Sequence, residues 1–392
     1  MKTVIQGGDA YTNNGLVHDA TILVEEAQIV AVGHPAKFDS SGPVDLVLDA
    51  HDAIIVPGFV DLQINGAGGR FLTEDPSVET VIEMARIVAK FGCTAFLPTV
   101  ITSPFELMLK AVRAVDKARN EVFDGATVLG SHLEGPFINP NMSGVHDVSS
   151  IRSPSMDDFN KLWLESRGSI KLMTLSPEIT GTGELIRAAK SCGMAVAVGH
   201  TNADYLEMME AMASGTTMNT HLFNAMGGLK AREPGAIGAV LSSKDFKASI
   251  IADGYHVHPA MMDLAIRAKG SENLVLVTDG MAPVGTDLTE FSMYGEMVTV
   301  RDGACFMPDG TLAGSVLTMD KAVRNILEVT DTPLEQALLM ATTNPAAIIN
   351  EDKLRGSLDV GKVADIVIMD RDLKVTLTMV AGKIVYESGS DR

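Results

Sequence analysis

The chain has 392 residues, 46% of them hydrophobic and 21% charged, with 31 basic against 50 acidic side chains and a formal charge of −19. That length and balance suit one large globular domain with a smaller companion. So acidic a chain argues against nucleic acid or an anionic membrane as the main partner, while a local basic pocket for a small anion remains compatible with it. The three cysteines, Cys93, Cys192 and Cys305, are scattered and form no disulfide framework. Met1 to Gly8 carries no signal-peptide pattern, and no apolar run approaches the roughly 20 residues of a membrane span. A reduced, cytoplasmic setting is expected.

In chain order, the first fifty or so residues read as short strands with turns: Ala20 to Val24, Gln28 to Gly33 and Val44 to Leu48. Asp365 to Met369, Lys374 to Thr378 and Met379 to Tyr386 repeat the pattern at the other end. Such Val/Ile-rich pieces broken by Gly and Asp predict antiparallel β-structure, and the two ends together predict one small β domain. The middle alternates. Strand-like runs at Ile54–Ile64, Ala95–Ile101, Thr127–Leu133, Ile170–Leu175, Met194–Val198, Thr216–Thr220, Ala248–Ala252 and Leu274–Thr278 are mostly separated by helical patterns such as Ser77–Phe91, Ala203–Ser214, Glu184–Ser191 and Pro259–Lys269. Eight strands alternating with helices over roughly 290 residues match a (β/α)8 TIM-like barrel. The alternative is a doubly wound open sheet, but Asn65 to Gly69 lacks the order of a dinucleotide-binding glycine loop. The expected domains are residues 1–53 and 346–392 for the β part, a small sandwich, and 54–345 for the barrel.

Barrel chemistry sits at the carboxyl ends of the strands. Those ends carry Gln63 and Asn65, Glu134, His200, His221, Asp253 with His256, and Asp279. Polar groups costly in a core recur at equivalent places, which points to one site rather than to isolated buried side chains. Glu134, His200 and His221 make a carboxylate–imidazole set suited to a divalent ion such as zinc. A metal there would lower the pKa of a water and polarise a carbonyl, and Asp279 is placed to act as general base. Asp279-Gly280 also reads as a plain turn. Arg232 has the fork geometry for a phosphate, though a solvated loop arginine reads as well. His146 by itself reads as a loop histidine, and His18, His34, His51 and His258 as structural or surface residues.

Pro57-Gly58-Phe59-Val60-Asp61, with a Glu after the third strand, His after the fifth and sixth and Asp after the eighth, resembles the amidohydrolase superfamily. More narrowly, the segments His132 to Phe137, Gly199 to Ala203, Thr220 to Met226, Ile251 to Val257 and Leu312 to Ser315 resemble the N-acetylglucosamine-6-phosphate deacetylase family over nearly the whole chain. The resemblance implies hydrolysis of N-acetyl-D-glucosamine 6-phosphate to glucosamine 6-phosphate and acetate, in amino-sugar catabolism and cell-wall sugar recycling. It implies one divalent ion per subunit, most simply zinc, on Glu134, His200 and His221, with Asp279 as acid/base. It places His146 and the backbone at Val145 on the sugar and acetamido group. Asn224, Ala225, Arg232, Asp253 and His256 fall to sugar and phosphate, and Leu312, Ala313 and Gly314 to the acetyl end. A homodimer, or a dimer of dimers, is implied, with phosphate-binding residues able to come from the neighbouring subunit.

The wider superfamily carries a His-x-His pair after the first strand, where this chain has Gln63 and Asn65. Amides compete poorly for a transition metal, so a mononuclear site is expected. The rivals are a deacetylase for the galacto epimer, a cyclic amidohydrolase of the dihydropyrimidinase or dihydroorotase kind, which would be expected to keep the pair, and a catalytically dead scaffold, which would have no reason to keep the metal set. The turn-rich stretch from Met281 to Leu312 reads as a flap over the site.

Overall fold

The structure, a computed structural model, describes residues 1–34, 43–122 and 124–389. Eight parallel strands form its centre: β1 (Phe59–Ile64), β2 (Cys93–Ile101), β3 (Ser131–Glu134), β4 (Ile170–Leu175), β5 (Ala195–Val198), β6 (Met218–Asn219), β7 (Lys247–Ile251) and β8 (Leu274–Val277). Each pairs with the next in sequence order. The seam between β8 and β1 is closed just beyond the strands, by a parallel bridge from Ile64 to Gly280 and by the Asp279 N–H donating to Gln63 O at 2.8 Å. One helix follows each strand in turn: α1 (Val78–Ala89), α2 (Phe105–Ala118), α3 (Met156–Glu165), α4 (Thr182–Ser191), α5 (Tyr205–Ser214), α6 (Gly235–Ser242), α7 (Pro259–Lys269) and α8 (Met319–Val329). This is the (β/α)8 barrel.

The local causes are plain. Strands such as β1 and β2 are buried along their whole length, because helices cover one face and barrel side chains the other. Helix α1 starts where the Ser77 hydroxyl accepts the Thr80 N–H, and it buries Val81, Met84, Ala85 and Val88 at helical spacing. Helix α5 opens with a reciprocal capping pair, Asp204 and Glu207, which sets its start just after His200.

The terminal segments form one eight-stranded sheet around a core of its own, with Ile5, Ile22, Ile29, Ile55, Ile366, Ile368 and Met379 in it. Several expectations are corrected here. The run Ile54–Ile64 is two strands. Ile54–Pro57 pairs in the terminal sheet, and only Phe59–Ile64 enters the barrel. The break falls at Gly58, where a Cβ would lie 2.0 Å from the Thr94 hydroxyl. The terminal sheet thus extends beyond the expected boundary after residue 53, while Ala346 and Ile349 still pack in the barrel core, past the other boundary. The terminal sheet is also mixed rather than antiparallel: Lys2–Thr12 runs parallel to Leu46–Asp49 and Ile54–Pro57. Met379–Tyr386 turns on itself at Ala381-Gly382, both with positive φ, between strands Val375–Val380 and Lys383–Glu387. Thr127–Leu133 is interrupted at Gly130, and Thr127–Val128 pairs on the side of β2.

Between β8 and α8 the chain forms a four-stranded antiparallel flap: Glu290–Met293, Glu296–Arg301, Ala304–Phe306 and Leu312–Ser315. Met293, Val298, Cys305 and Ala313 pack there with Phe71 of a barrel loop and Ile101 at the end of β2. No helix among the described residues is long and apolar enough to cross a membrane.

Candidate active site

Glu134, His200 and His221 converge, buried, at the carboxyl ends of β3, β5 and β6, with ligand atoms all within 4.8 Å of one another. His200 Nε2 lies 3.2 Å and His221 Nε2 3.0 Å from Glu134 Oε1, and the two nitrogens are 3.2 Å apart. His200 Nδ1 sits 2.8 Å from the Met142 carbonyl, which only accepts, so in the neutral ring the proton is on Nδ1 and the Nε2 lone pair faces the cluster. His221 Nδ1 is buried without a hydrogen-bond partner among the described residues. A carboxylate oxygen and an imidazole lone pair facing each other repel unless a cation lies between them. The donor set therefore fits a divalent ion. Without one, burial opposes charge on Glu134 and His221, yet the contacts of Glu134 with His200 and His221 prevail. The Glu134 carboxyl is held well below its usual range, and the His221 imidazole is raised.

Gln63 and Asn65 occupy the places of the missing histidine pair with their N–H groups turned towards carboxylates. Gln63 Nε2 lies 3.2 Å from both Glu134 oxygens and 3.2 Å from Asp279 Oδ1. Asn65 Nδ2 donates to Asp279 Oδ1 at 2.7 Å. Both amides thus present donors, not ligand lone pairs, to Glu134 and Asp279. Burial and the Glu134 charge both raise the Asp279 carboxyl.

Four non-glycine cavity residues sit in the left-handed region: His200 at φ 49°, His221 at 33°, Ala225 at 48° and Asp279 at 49°. Each such bend costs about 1–3 kcal/mol and needs outside support. Ser249 on β7 supplies it for His221, its hydroxyl accepting the His221 N–H at 2.7 Å. Asp61 supplies it for Asp279. Its buried carboxylate accepts the Thr278 hydroxyl at 2.6 Å and the Gln63 N–H at 3.1 Å, while Ser315 donates to Thr278 O at 2.6 Å. Burial pushes the Asp61 carboxyl up to about 7.

A cavity of about 340 Å3 covers this floor, in the size range of small-molecule sites. Glu134, His200, His221, Asp279, Val145, His146, Asn224, Ala225, His256, Leu312 and Gly314 all line it. His146, which sequence alone left as a loop histidine, is buried, with its ring centre 4.3 Å from that of His200. Its Nδ1 accepts the Thr102 N–H at 3.2 Å, so its proton is on Nε2. Burial and the neighbouring His200 push it down to about 3.

Three expected substrate contacts are not among the residues lining the cavity. Arg232 is exposed, in a neighbouring cleft with Asn202, Asp204 and Lys230. Asp253 stands behind the cavity wall, its carboxylate taken up by His256 Nδ1 at 2.7 Å and by the Tyr255 and His256 N–H groups. Ala313 is buried in the flap core. Sequence reasoning missed Thr102, Met142, Met293 and Thr311, since ordinary residue types in loops and flap carry no signal of where they converge. His132 proves internal: fully buried, it bonds the Thr174 hydroxyl at 2.7 Å and is pushed by burial to about 4. His258 caps α7.

The family model described as the amidohydrolase family matches residues 54–385. The chain belongs to the amidohydrolase family. It is 39% identical to an N-acetylgalactosamine-6-phosphate deacetylase of Shewanella sp. (strain ANA-3), over 86% of this chain and 84% of that one. It is 37% identical to an N-acetylglucosamine-6-phosphate deacetylase of Bacillus subtilis, over 86% of each. Among solved structures it resembles a mutant N-acetyl-D-glucosamine-6-phosphate deacetylase from Mycobacterium smegmatis in complex with N-acetyl-D-glucosamine-6-phosphate. That likeness has a TM-score of 0.89 and 28% identity, over 98% of this chain and 99% of that one.

Proposed function

We propose that the protein hydrolyses the N-acetyl group of N-acetyl-D-glucosamine 6-phosphate, releasing acetate and glucosamine 6-phosphate. The observation that carries this reading is the buried Glu134–His200–His221 cluster sharing one amide hydrogen-bond donor, that of Gln63, with Asp279, in a chain similar to deacetylases of phosphorylated amino sugars. Glu134, His200 and His221 would hold one divalent ion, zinc by the chemistry of the set. When bound, it acidifies a water and polarises the acetamido carbonyl. Asp279 takes the proton of the attacking water as the oxygen adds to the carbonyl carbon. His146 donates from Nε2 to the oxygen on which negative charge builds, and a histidine held neutral suits that task. The carbon–nitrogen bond breaks as Asp279 returns the proton to the leaving nitrogen, which is too basic to depart unprotonated. Asn224, Ala225 and His256 hold the sugar and phosphate, with Asp253 fixing His256 so that Nε2 is free for the ligand.

Arg232 lies outside the cavity of its own chain. We propose that it completes the phosphate site of the partner in a homodimer. Arg232→Ala should then raise KM about 10- to 100-fold with kcat little changed. Mixed dimers of Arg232→Ala and Asp279→Asn subunits should recover turnover at substrate concentrations near the wild-type KM, where each variant alone is slow, and mixing without recovery returns the arginine to its own subunit. His146→Ala should lower kcat about 100- to 1,000-fold, as loss of an oxyanion donor does. Because its ring is already neutral, the wild-type pH profile should carry no His146 ionisation between about pH 5 and 9.

The galacto epimer is the second reading, favoured by the 39% identity to the Shewanella enzyme. Acetate release from both epimers and from the unphosphorylated sugar, with and without zinc after chelation, separates these. Metal-dependent release that requires the phosphate and prefers the gluco sugar is expected. A galacto preference would change the substrate and keep the chemistry, and no release from any of them would reject the reading.

A further inference from the structure

The first hairpin of the flap reverses at Tyr294-Gly295, between the paired residues Met293 and Glu296. Both turn residues have positive φ, 52° and 79°. Two-residue turns of this kind favour Asn, Asp or Gly at the first position. A tyrosine there is strained and needs a contact that holds it. The contact is inward. The Tyr294 hydroxyl donates to Thr102 O at 2.9 Å, and its N–H donates to Glu74 Oε1 at 2.6 Å. Phe291, on the same hairpin, meets the Phe71 ring edge-on at 6.3 Å. Met293, next to the tip, is fully buried and lines the cavity.

Thr102 is the residue that sets His146. Its N–H is the donor to His146 Nδ1, and its hydroxyl donates to the Glu134 carbonyl at 3.3 Å. Tyr294 supplies the third tie, on the Thr102 carbonyl. The hydroxyl and carbonyl ties hold Thr102 from both sides of its Cα while its N–H meets His146 Nδ1 at 3.2 Å. That N–H donor leaves the His146 proton on Nε2.

We propose that Tyr294 is a positioning residue: seating of the flap tip through its hydroxyl orients Thr102, and Thr102 holds His146 in the tautomer that donates into the cavity. Cover over the acyl end and the oxyanion donor are then set by one contact. The kinetic consequence rests on the deacetylase reading of His146, whereas the contact does not.

Tyr294→Phe removes only the hydroxyl. It should lower kcat about tenfold with KM within about twofold and with melting temperature unchanged. In a His146→Ala background the same change should cost no further kcat, because the group it positions is gone, whereas a merely structural effect would multiply through. Tyr294→Asn, a residue that accepts positive φ, should keep the hairpin and show the same kinetic loss. Hydrogen exchange at residues 290–301 should quicken in Tyr294→Phe, and 15N-labelled His146 should change from one tautomer to a mixture. Full kcat in Tyr294→Phe, or losses that multiply in the double variant, would overturn the proposal. If the wild-type protein releases no acetate, the deacetylase reading falls by itself. The exchange and tautomer measurements then decide the positioning role: changes in both support it, and no change in either rejects it.

Discussion

Asp279→Asn is expected to lower kcat about 1,000- to 10,000-fold, the upper range for loss of a general acid–base group, and to leave bound metal and KM nearly as they were. The asparagine is isosteric and can keep the hydrogen bonds from Asn65 and Gln63, so the site should not collapse. What disappears is a group able to take a proton from water and give it to the leaving nitrogen. Stability should move the other way. Burial and the Glu134 charge make an ionised Asp279 unfavourable in the folded protein. Near neutral pH the folded state therefore loses stability by holding that charge, and the neutral amide should keep or raise the melting temperature. Turnover within tenfold of wild type would remove Asp279 from the chemistry. Kinetics, metal analysis and thermal melts on one preparation check all three expectations.

Chelation is expected to abolish turnover, with recovery on adding back zinc, and to change how stability depends on pH. A ligand at about 1,000 times its dissociation constant stabilises the fold by about 4 kcal/mol, so the melting temperature should drop when the ion is removed. Without the ion, Glu134 meets the imidazole of His221, which is raised by that contact. A group with a raised folded pKa stabilises fully below its unfolded value, near 6.5, and loses that stabilisation as pH rises through the raised value. The metal-free protein should therefore lose melting temperature from about pH 6 upward, and the metal-loaded protein should show a flatter profile. A metal-free profile that is flat or rises over that range would mean that Glu134 and His221 do not share a proton.

The repeating architecture is legible in the amino-acid sequence because its cause is local. Apolar runs of strand length alternate with helical spacing, and the alternation is what a barrel needs to bury strands on both faces. The metal set is legible for a related reason: charged residues at equivalent strand ends are too costly to be accidental. The exact course of several strands is less so. Ile54–Ile64 is a single apolar run in the sequence, and its division between two sheets depends on the contact of Gly58 with Thr94, which is distant in sequence. The parallel pairing of the first strand with Leu46–Asp49 likewise has no local signature.

The one-dimensional pattern by itself determined the barrel class and the strand ends at which polar groups recur, since both are written in residue types at fixed spacing, while the reading of Gln63 and Asn65 as standing in place of a histidine pair came from the family resemblance. Only the tertiary structure decided what those amides do, which nitrogen of His146 holds the proton, that Asp253 serves His256 rather than facing the cavity, and that Arg232 stands apart from it. These are matters of direction over distances of about 3 Å. Hydrogen bonds at that range depend on the angle at which two chain segments meet, and that angle is set by the packing of the whole barrel rather than by any stretch of it.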